Sequence, residues 1–488
     1  MMSKRILQGF LFLNILIILY GYSVGFGKSL WFDELLTIYQ SRELFSLNLK
    51  ENLIKDPNSS FFFFLYYVEK LLRVFNLNID ENINLIRVFN LIGIIPIALS
   101  FKILKKEKFQ IDLYIVCLLL ISSNYFFYYI LEIRTYFLLL SFTFLLSVLN
   151  LTDTLEVKYK YLFIFSSIII SIFHIYGFTI SMSILFYRLI LNFYQKNYIR
   201  LKINIYIIFL LLLIFFLVYW LNINNPEVIS KNSYLKFHLY YIGNFIRWNF
   251  NTLIFLFIAS ILIIFFKINK SSNIRNFINC FLNKFYLNIL GQIMPIIILL
   301  FVIISVSLLI TPILHHRFFI VVYPGLILIG GLLGFDLFKN NQQKILLIIF
   351  LTIITFVNIK FYLKNIINSE QNIEWVVKKT FKQNCENSDV YYNDDGKVGM
   401  LDHVNQIVQI YSKNLRPIKS LSTIDLSKFQ NSKKINKDCE VLIFSFHTYN
   451  LEKNLDKVNF KSLVYEVNYA PNVIGENTSK AGAIVLIK

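Results

Sequence analysis

Two adjacent carboxylates, Asp33 and Glu34, stand just after the first apolar run of the chain, in Ser29-Leu30-Trp31-Phe32-Asp33-Glu34. The preceding stretch, Ile6 to Phe26, carries no charge over about 20 residues, enough to cross the hydrocarbon core of a bilayer. Carboxylates at a membrane edge are costly unless they face water, a cation or a substrate, so a functional site is the first reading and a solvated loop start the second. A carboxylate so placed can take a proton from an incoming hydroxyl. If the segment is helical, Glu34 projects about 100° away from Asp33, so the two carboxylates face different directions.

Further residue sets have the same chemical character. Glu132-Ile133-Arg134-Thr135-Tyr136 follows Tyr128-Tyr129, His174-Ile175-Tyr176-Gly177 lies between two apolar runs, and His315-His316-Arg317 precedes another. Each has a plain structural reading. An acid and a base two residues apart can pair with each other, and a histidine at a helix end is often a hydrogen-bonded interface residue. The elements that position these residues decide whether they meet.

Composition sets the class of those elements. Of 488 residues 56% are hydrophobic and 16% charged, with 50 Phe and 30 Tyr, which is too apolar for a soluble chain and reads as a polytopic membrane protein. The net charge of +19 is scattered in short clusters between apolar runs, where it sets topology and does not point to nucleic acid. The hydropathy pattern predicts about eleven helical spans, near 6–26, 84–104, 110–127, 135–151, 160–174, 176–194, 203–221, 249–266, 286–311, 316–338 and 344–363. Ser3-Lys4-Arg5, Lys102 to Lys108, Lys158 with Lys160, Lys196 to Lys202, Lys267 to Lys284 and Lys339 with Lys344 then fall on one side, the cytoplasmic one. The amino terminus is expected inside, and no small-residue cleavage site follows the first span, so that span is read as a retained helix. On this topology Asp33, Glu132, Arg134, His174, His316 and Arg317 reach the same, outer face.

Two outer segments are long enough to be structured. In residues 27–83 the aromatic stretch Phe61 to Leu72 is expected to lie as a re-entrant or surface helix; a twelfth span there would invert the topology and export the Lys102 to Lys108 and Lys196 to Lys202 clusters. From residue 366 the apolar runs shorten and charge rises. A small exterior α/β domain is expected over 366–488, after a 1–365 membrane domain, with a helix at Ile373 to Phe381 and strands at Asp389 to Asn393, Glu440 to Phe446 and Ala483 to Ile487. Cys385 and Cys439 precede two of those strands and are expected to form a disulfide, whereas Cys117 and Cys280 are expected to stay reduced.

The set resembles the GT-C superfamily of polyprenyl-phosphate-sugar-dependent glycosyltransferases, in particular the protein O-mannosyltransferase and aminoarabinose transferase group, glycosyltransferase family 39-like. The resemblance covers about the first 335 residues, and the tail is only loosely similar to that family's variable exterior domain. The family's Trp-x-Asp-Glu element is matched by Trp31, Asp33 and Glu34, and its Arg at the start of the second span looks like Arg87. Its Tyr-Ser-x-Glu-x-Arg-x-Tyr element looks like Tyr129 to Tyr136, its His-Tyr-x-Gly element like His174 to Gly177, and its Arg-Tyr...Pro element like Arg317-Phe318...Pro324. An Asp-x-His-Pro-Pro-Leu-Tyr-Tyr element departs: here Asp56-Pro57-Asn58-Ser59-Ser60-Phe61 precedes Tyr66-Tyr67 without His-Pro-Pro.

The resemblance implies inverting transfer of a hexosyl or pentosyl group from a polyprenyl-phosphate donor to an acceptor hydroxyl or phosphate, at the non-cytoplasmic face of the plasma (inner) membrane. Asp33 is then the base with Glu34 beside it. Arg134, Arg317 and His316 hold the donor phosphate, since guanidinium forks match phosphate oxygens. Asp56, Tyr66, Tyr67, Arg87, Glu132, Tyr136, His174 and Tyr176 bind substrate, although each aromatic also reads as an interface anchor. The acceptor stays open among a lipid, a glycan and a protein. No nucleotide-binding glycine motif or Cys/His zinc spacing occurs, and a bridging divalent cation, Mg or Mn, is left open. A transporter or flippase of lipid-linked sugars would also want intramembrane charge but predicts broken helices and inverted repeats, and no convincing repeat is visible. A glycan polymerase or ligase would place its key Arg and His in a large late outer loop.

Overall fold

The structure, a computed structural model, describes residues 2–26, 32–43, 59–77, 83–151, 158–220, 243, 246, 252–253, 255–261, 284–309, 316–337, 341–369, 372–382, 390–393, 400–411, 417–421, 442–445, 465–469 and 483–487. Helices dominate: α1 (Met2–Phe26), α2 (Phe32–Glu43), α3 (Ser59–Val74), α4 (Ile94–Lys106), α5 (Leu113–Ile121), α6 (Asn124–Ile130), α7 (Tyr136–Leu149), α8 (Lys160–Phe173), α9 (Ile175–Tyr194), α10 (Tyr198–Phe215), α11 (Lys284–Leu309), α12 (Tyr323–Leu337) and α13 (Asn341–Ser369). Among the described residues five helical stretches are long and apolar enough to cross a membrane: Ile83–Lys106, Ile175–Tyr194, Tyr198–Val218, Asn288–Val306 and Phe319–Leu337. Shorter apolar helices occupy Gln8–Ser23, Tyr136–Leu149, Lys160–Phe173 and Ile345–Lys360. Large apolar side chains such as Phe209 on α10, Phe301 on α11 and Phe350 on α13 point outward. Exposed apolar faces on this scale suit lipid and not water, so this is a helical, membrane-embedded protein.

The chain divides into two compact units. The first holds Met1–Tyr22, Leu47–Val68 and Ile86–Lys360; the second holds Ser23–Ser46, Glu69–Leu85 and Phe361–Lys488. The Asp33-Glu34 segment and the residues after 361 therefore share one unit.

In the first unit α7 and α12 form the centre: α7 buries every residue except Phe142. Glycines let α12 lie close to α5. A Cβ on Gly331 would meet the Val116 side chain at 2.3 Å and one on Gly334 the Ile115 side chain at 2.3 Å, and the backbone N–H of Asp112 reaches the Gly331 carbonyl at 3.0 Å. Two expected spans are built differently from continuous α-helices. The 84–104 span is an 11-residue 3-10 helix, Ile83–Gly93, followed by α4. Pro96 explains the switch, because a residue without an N–H fits only the first turn of an α-helix. The 110–127 span breaks at Ser122-Ser123 into α5 and α6, where the Ser123 hydroxyl accepts from the Tyr125 N–H and starts the second helix. The carbonyls freed at the end of α5 are satisfied: Tyr323 Oη donates to Leu119 at 2.6 Å and Asn358 Nδ2 to Ser122 at 2.8 Å.

Fully buried Arg188 on α9 caps the carboxyl end of α7, with Nε 2.8 Å from Asn150 Oδ1 and Nη2 2.8 Å from the Leu149 carbonyl. The helix over the Phe61 to Leu72 stretch is α3. Its 16 residues reach about 24 Å, short of a span, and Phe61 and Phe64 seat it on Phe89 and Phe173.

In the second unit a five-stranded mixed sheet, order β2-β1-β3-β5-β4, is made of β1 (Val390–Tyr392), β2 (Ile418–Ser420), β3 (Leu442–Ser445), β4 (Tyr465–Tyr469) and β5 (Ala483–Ile487). β1 runs parallel to β2 and β3, and β5 pairs antiparallel with β3 and β4. α14 (Ile373–Lys382) packs on it through Phe381 against Phe444, and α15 (Met400–Tyr411) packs on α2. β1, β3 and β5 lie in the three segments expected to be strands. β2 and β4 are additional: β2 has only three residues, one of them Lys419, and β4 interrupts its apolar residues with Glu466 and Asn468, so neither forms an apolar run. Cys385, Cys439 and Cys280 lie outside the described residues; Cys117, on α5, is a free thiol.

Candidate functional site

The turn between α6 and α7 is the centre of the site, and it is buried although it is not helical. Leu131, Glu132 and Ile133 are all fully covered. Irregular backbone at such depth must find internal hydrogen-bond partners. The Glu132 N–H reaches the Tyr129 carbonyl at 3.3 Å and the Arg134 N–H reaches the Glu132 carbonyl at 2.8 Å. Asn90 supplies the rest: its Nδ2 lies 2.8 Å from the Glu132 carbonyl, 3.0 Å from that of Ile130 and 3.3 Å from that of Tyr129.

Asn90 comes from the 3-10 helix. In that geometry residues three apart eclipse, so Arg87, Asn90 and Gly93 form one row. Arg87 and Asn90 are both fully buried, and a Cβ on Gly93 would sit 2.7 Å from the Phe137 ring at the start of α7. The row is the reason the helix can approach the turn.

A second break, between α8 and α9, brings His174. Its extended backbone (φ −158°, ψ 139°) ends one helix and starts the next, and its Nδ1 accepts from the Tyr176 N–H at 3.1 Å. The helices part by very little: a Cβ on Gly177 would lie 2.1 Å from the Ile170 carbonyl oxygen. An Nδ1 that accepts leaves the proton of the neutral ring on Nε2. Enclosure between Tyr136 (5.5 Å) and Tyr176 (4.5 Å), then the Arg317 and Arg134 cations, push the His174 pKa down to about 3; the residue lies in the turn outside both helices.

Arg317 comes from a short 3-10 helix, His316–Val321, ahead of α12. Its guanidinium carbon stands 5.3 Å from the centre of the Tyr136 ring, and Nη1 lies 3.4 Å from Tyr136 Oη. Tyr136 in turn packs against Tyr129 at 4.9 Å, and Tyr129 stacks on Tyr125 at 6.0 Å. The structure thus brings together Glu132, Arg134, Tyr136, His174, Tyr176 and Arg317. The Oη of Tyr129 and the Oδ1 of Asn90 are buried and have no hydrogen-bond partner among the described residues. Leaving such groups unmatched costs about 1–3 kcal/mol each.

The remaining candidates belong to other elements. Asp33 and Glu34 occupy the first turn of α2 in the second unit; Glu34 is fully buried, and the Asp33 side chain lies outside the description, as do Asp56 and the His316 side chain. In that unit Glu69 is held by Arg42 at 2.8 Å and by Arg73 at 3.0 Å. Tyr66 and Tyr67 are neighbours on α3, rings 5.6 Å apart, with Tyr67 exposed. Arg87 stands one 3-10 turn before Asn90. Asn90 itself was missed by the sequence reading, which sought ionisable groups; the signal was the three-residue spacing Arg87-x-x-Asn90-x-x-Gly93. Among the described residues no group of three or more His, Cys, Asp and Glu side chains is placed to hold a metal ion. No protein-family model, no curated protein and no solved structure matches this chain.

Proposed function

We propose that this protein is a membrane glycosyltransferase of the GT-C kind that moves a sugar from a polyprenyl-phosphate donor to a lipid, glycan or protein acceptor. The observation that carries the reading is the Glu132, Arg134, Tyr136, His174 and Arg317 cluster, which joins three of the family-like motifs at one place. Two guanidinium groups beside a neutral imidazole and the Tyr129 hydroxyl, all able to donate, suit a phosphate that gains negative charge as the sugar departs. His174, carrying its proton on Nε2, is a neutral donor there.

The reading includes about eleven spans, a cytoplasmic amino terminus, an exterior domain after residue 366 and a site at the outer face of the plasma membrane. Asp33 takes the proton from the acceptor hydroxyl as the new bond forms at the sugar's anomeric carbon and the bond to phosphate breaks; inversion follows from attack on the face opposite the leaving group. A transporter of lipid-linked sugars is the second reading, favoured by the break between α5 and α6. Against it, Tyr323 and Asn358 already occupy the carbonyls that a coupling ion would use.

The test is transfer by the purified full-length protein in nanodiscs supplied with a polyprenyl-phosphate sugar. Asp33→Asn keeps the shape but loses the basicity, so turnover should fall by about 10²–10⁴-fold while polyprenyl-phosphate binding largely survives. Normal turnover in a normally folded variant would remove Asp33 from the base role.

A further inference from the structure

Nothing in a bundle of apolar helices obliges the chain at Leu131 to Thr135 to stay non-helical and buried. Once non-helical, its carbonyls must be matched, because no water replaces a lost partner at that depth. Three acceptors at the end of α6 and in the turn, the carbonyls of Tyr129, Ile130 and Glu132, converge on one amide nitrogen, Asn90 Nδ2, at 3.3, 3.0 and 2.8 Å. An amide has two hydrogens, so the shorter two contacts take one each and the longest is shared. The amide is fully buried and comes from a segment 39 to 42 residues away in sequence. It is held at the right height by the 3-10 row that also packs Gly93 against Phe137 and Ser141 of α7.

We propose that Asn90 is a positioning residue: by clamping the Tyr129–Glu132 backbone it sets where the Glu132 carboxylate, the Arg134 guanidinium and the Tyr129 hydroxyl stand. The assignment of these three to a phosphate site rests on the function proposed above; the clamp itself rests on the hydrogen bonds alone. The three groups of the turn are carbonyl oxygens, which only accept, so the amide stands with its nitrogen and not Oδ1 toward the turn. A side chain of the same shape without hydrogens to give is therefore the informative replacement. Asn90→Asp puts carboxylate oxygens against three carbonyls, and Asn90→Ser withdraws the amide without adding charge.

The experiment uses the full-length protein in nanodiscs and reads two quantities on each variant: backbone hydrogen exchange by mass spectrometry, and the dissociation constant for polyprenyl phosphate. Asn14→Ala serves as the control, since Asn14 is also a fully buried asparagine, bonded through Nδ2 to Thr352 Oγ1 at 2.9 Å and to the Phe10 carbonyl. Both Asn90 variants should speed exchange over residues 129–135 by about tenfold or more, confined to that segment, and weaken polyprenyl-phosphate binding by about tenfold or more; the control should do neither. Should Asn90→Asp not fold, Asn90→Ser gives the same two readouts. Unchanged exchange over 129–135 in either folded variant overturns the clamp. Faster exchange with an unchanged dissociation constant overturns the positioning role, because the turn would then be structural only. If the wild-type protein does not bind polyprenyl phosphate, the proposed function fails, and the exchange readout alone then decides the clamp.

Discussion

At the level of single residues, His174 shows how the fold decides what a side chain can do. A histidine ordinarily titrates near 6.5, yet here burial of the ring, then the Arg317 and Arg134 cations, hold the pKa at about 3. The unfolded chain takes up a proton near pH 6.5 that the folded chain refuses until about 3. This residue's contribution to stability is therefore full above pH 6.5 and is lost as the pH falls from 6.5 toward 3. Its ring resonances, assigned by comparison with a His174→Asn variant that keeps a cap, should stay at their neutral positions from pH 8 to pH 5. A midpoint near 6.5 would contradict both the ring's burial and its nearness to the two cations. The residue types of this cluster were legible in the sequence because ionisable groups are rare in apolar runs. Asn90 was not, since one asparagine among many carries no charge signal and its partners are backbone atoms. Arg188 is the converse case: a charged residue inside an apolar helix that looks functional by type but is occupied in capping α7.

At the level of elements, breaks in helices place the site, and glycines permit the breaks. Gly177 is the tightest of them. Replacing it with Ala puts a methyl 2.1 Å from a backbone oxygen of α8 that cannot rotate away, so Gly177→Ala should destabilise the protein by about 1–3 kcal/mol and disturb His174 with it. A thermal unfolding midpoint equal to that of the wild type would show that α8 and α9 are not so close. Hydropathy located apolar helices, five of which are long enough to cross a membrane among the described residues, because burial in lipid or core leaves a long apolar window. It could not place the 3-10 helix or the break at Ser122-Ser123, because hydrogen-bond pattern leaves composition unchanged and depends on one proline and two serines. In the sheet, β1 and β3 are parallel neighbours with Val390 opposite Leu442, as the expected disulfide requires of the strands that follow Cys385 and Cys439. Non-reducing peptide mapping should find those two cysteines linked and Cys117 free. Recovery of both as free thiols from protein purified without reductant would exclude the bond.

Taken whole, the molecule is a helical membrane-embedded unit joined in one chain to a unit built around a mixed sheet, with the Asp33-Glu34 helix assigned to the latter. The membrane character was legible in composition and in long uncharged runs, since 56% hydrophobic residues exceeds the share usual in soluble domains. The grouping of α2 with the carboxyl-terminal sheet was not, because contacts between segments more than 350 residues apart leave no local pattern. The account turns on whether the cluster at Arg317 recognises a lipid-linked phosphate. Binding of polyprenyl phosphate to the full-length protein in nanodiscs, compared between wild type and Arg317→Lys, tests this most directly. Saturable binding by the wild type and affinity lower by about tenfold or more in the lysine variant are expected, because lysine keeps the charge but loses the planar fork and its stacking on Tyr136. No saturable binding by the wild type, or equal affinity in the two proteins, would contradict the account.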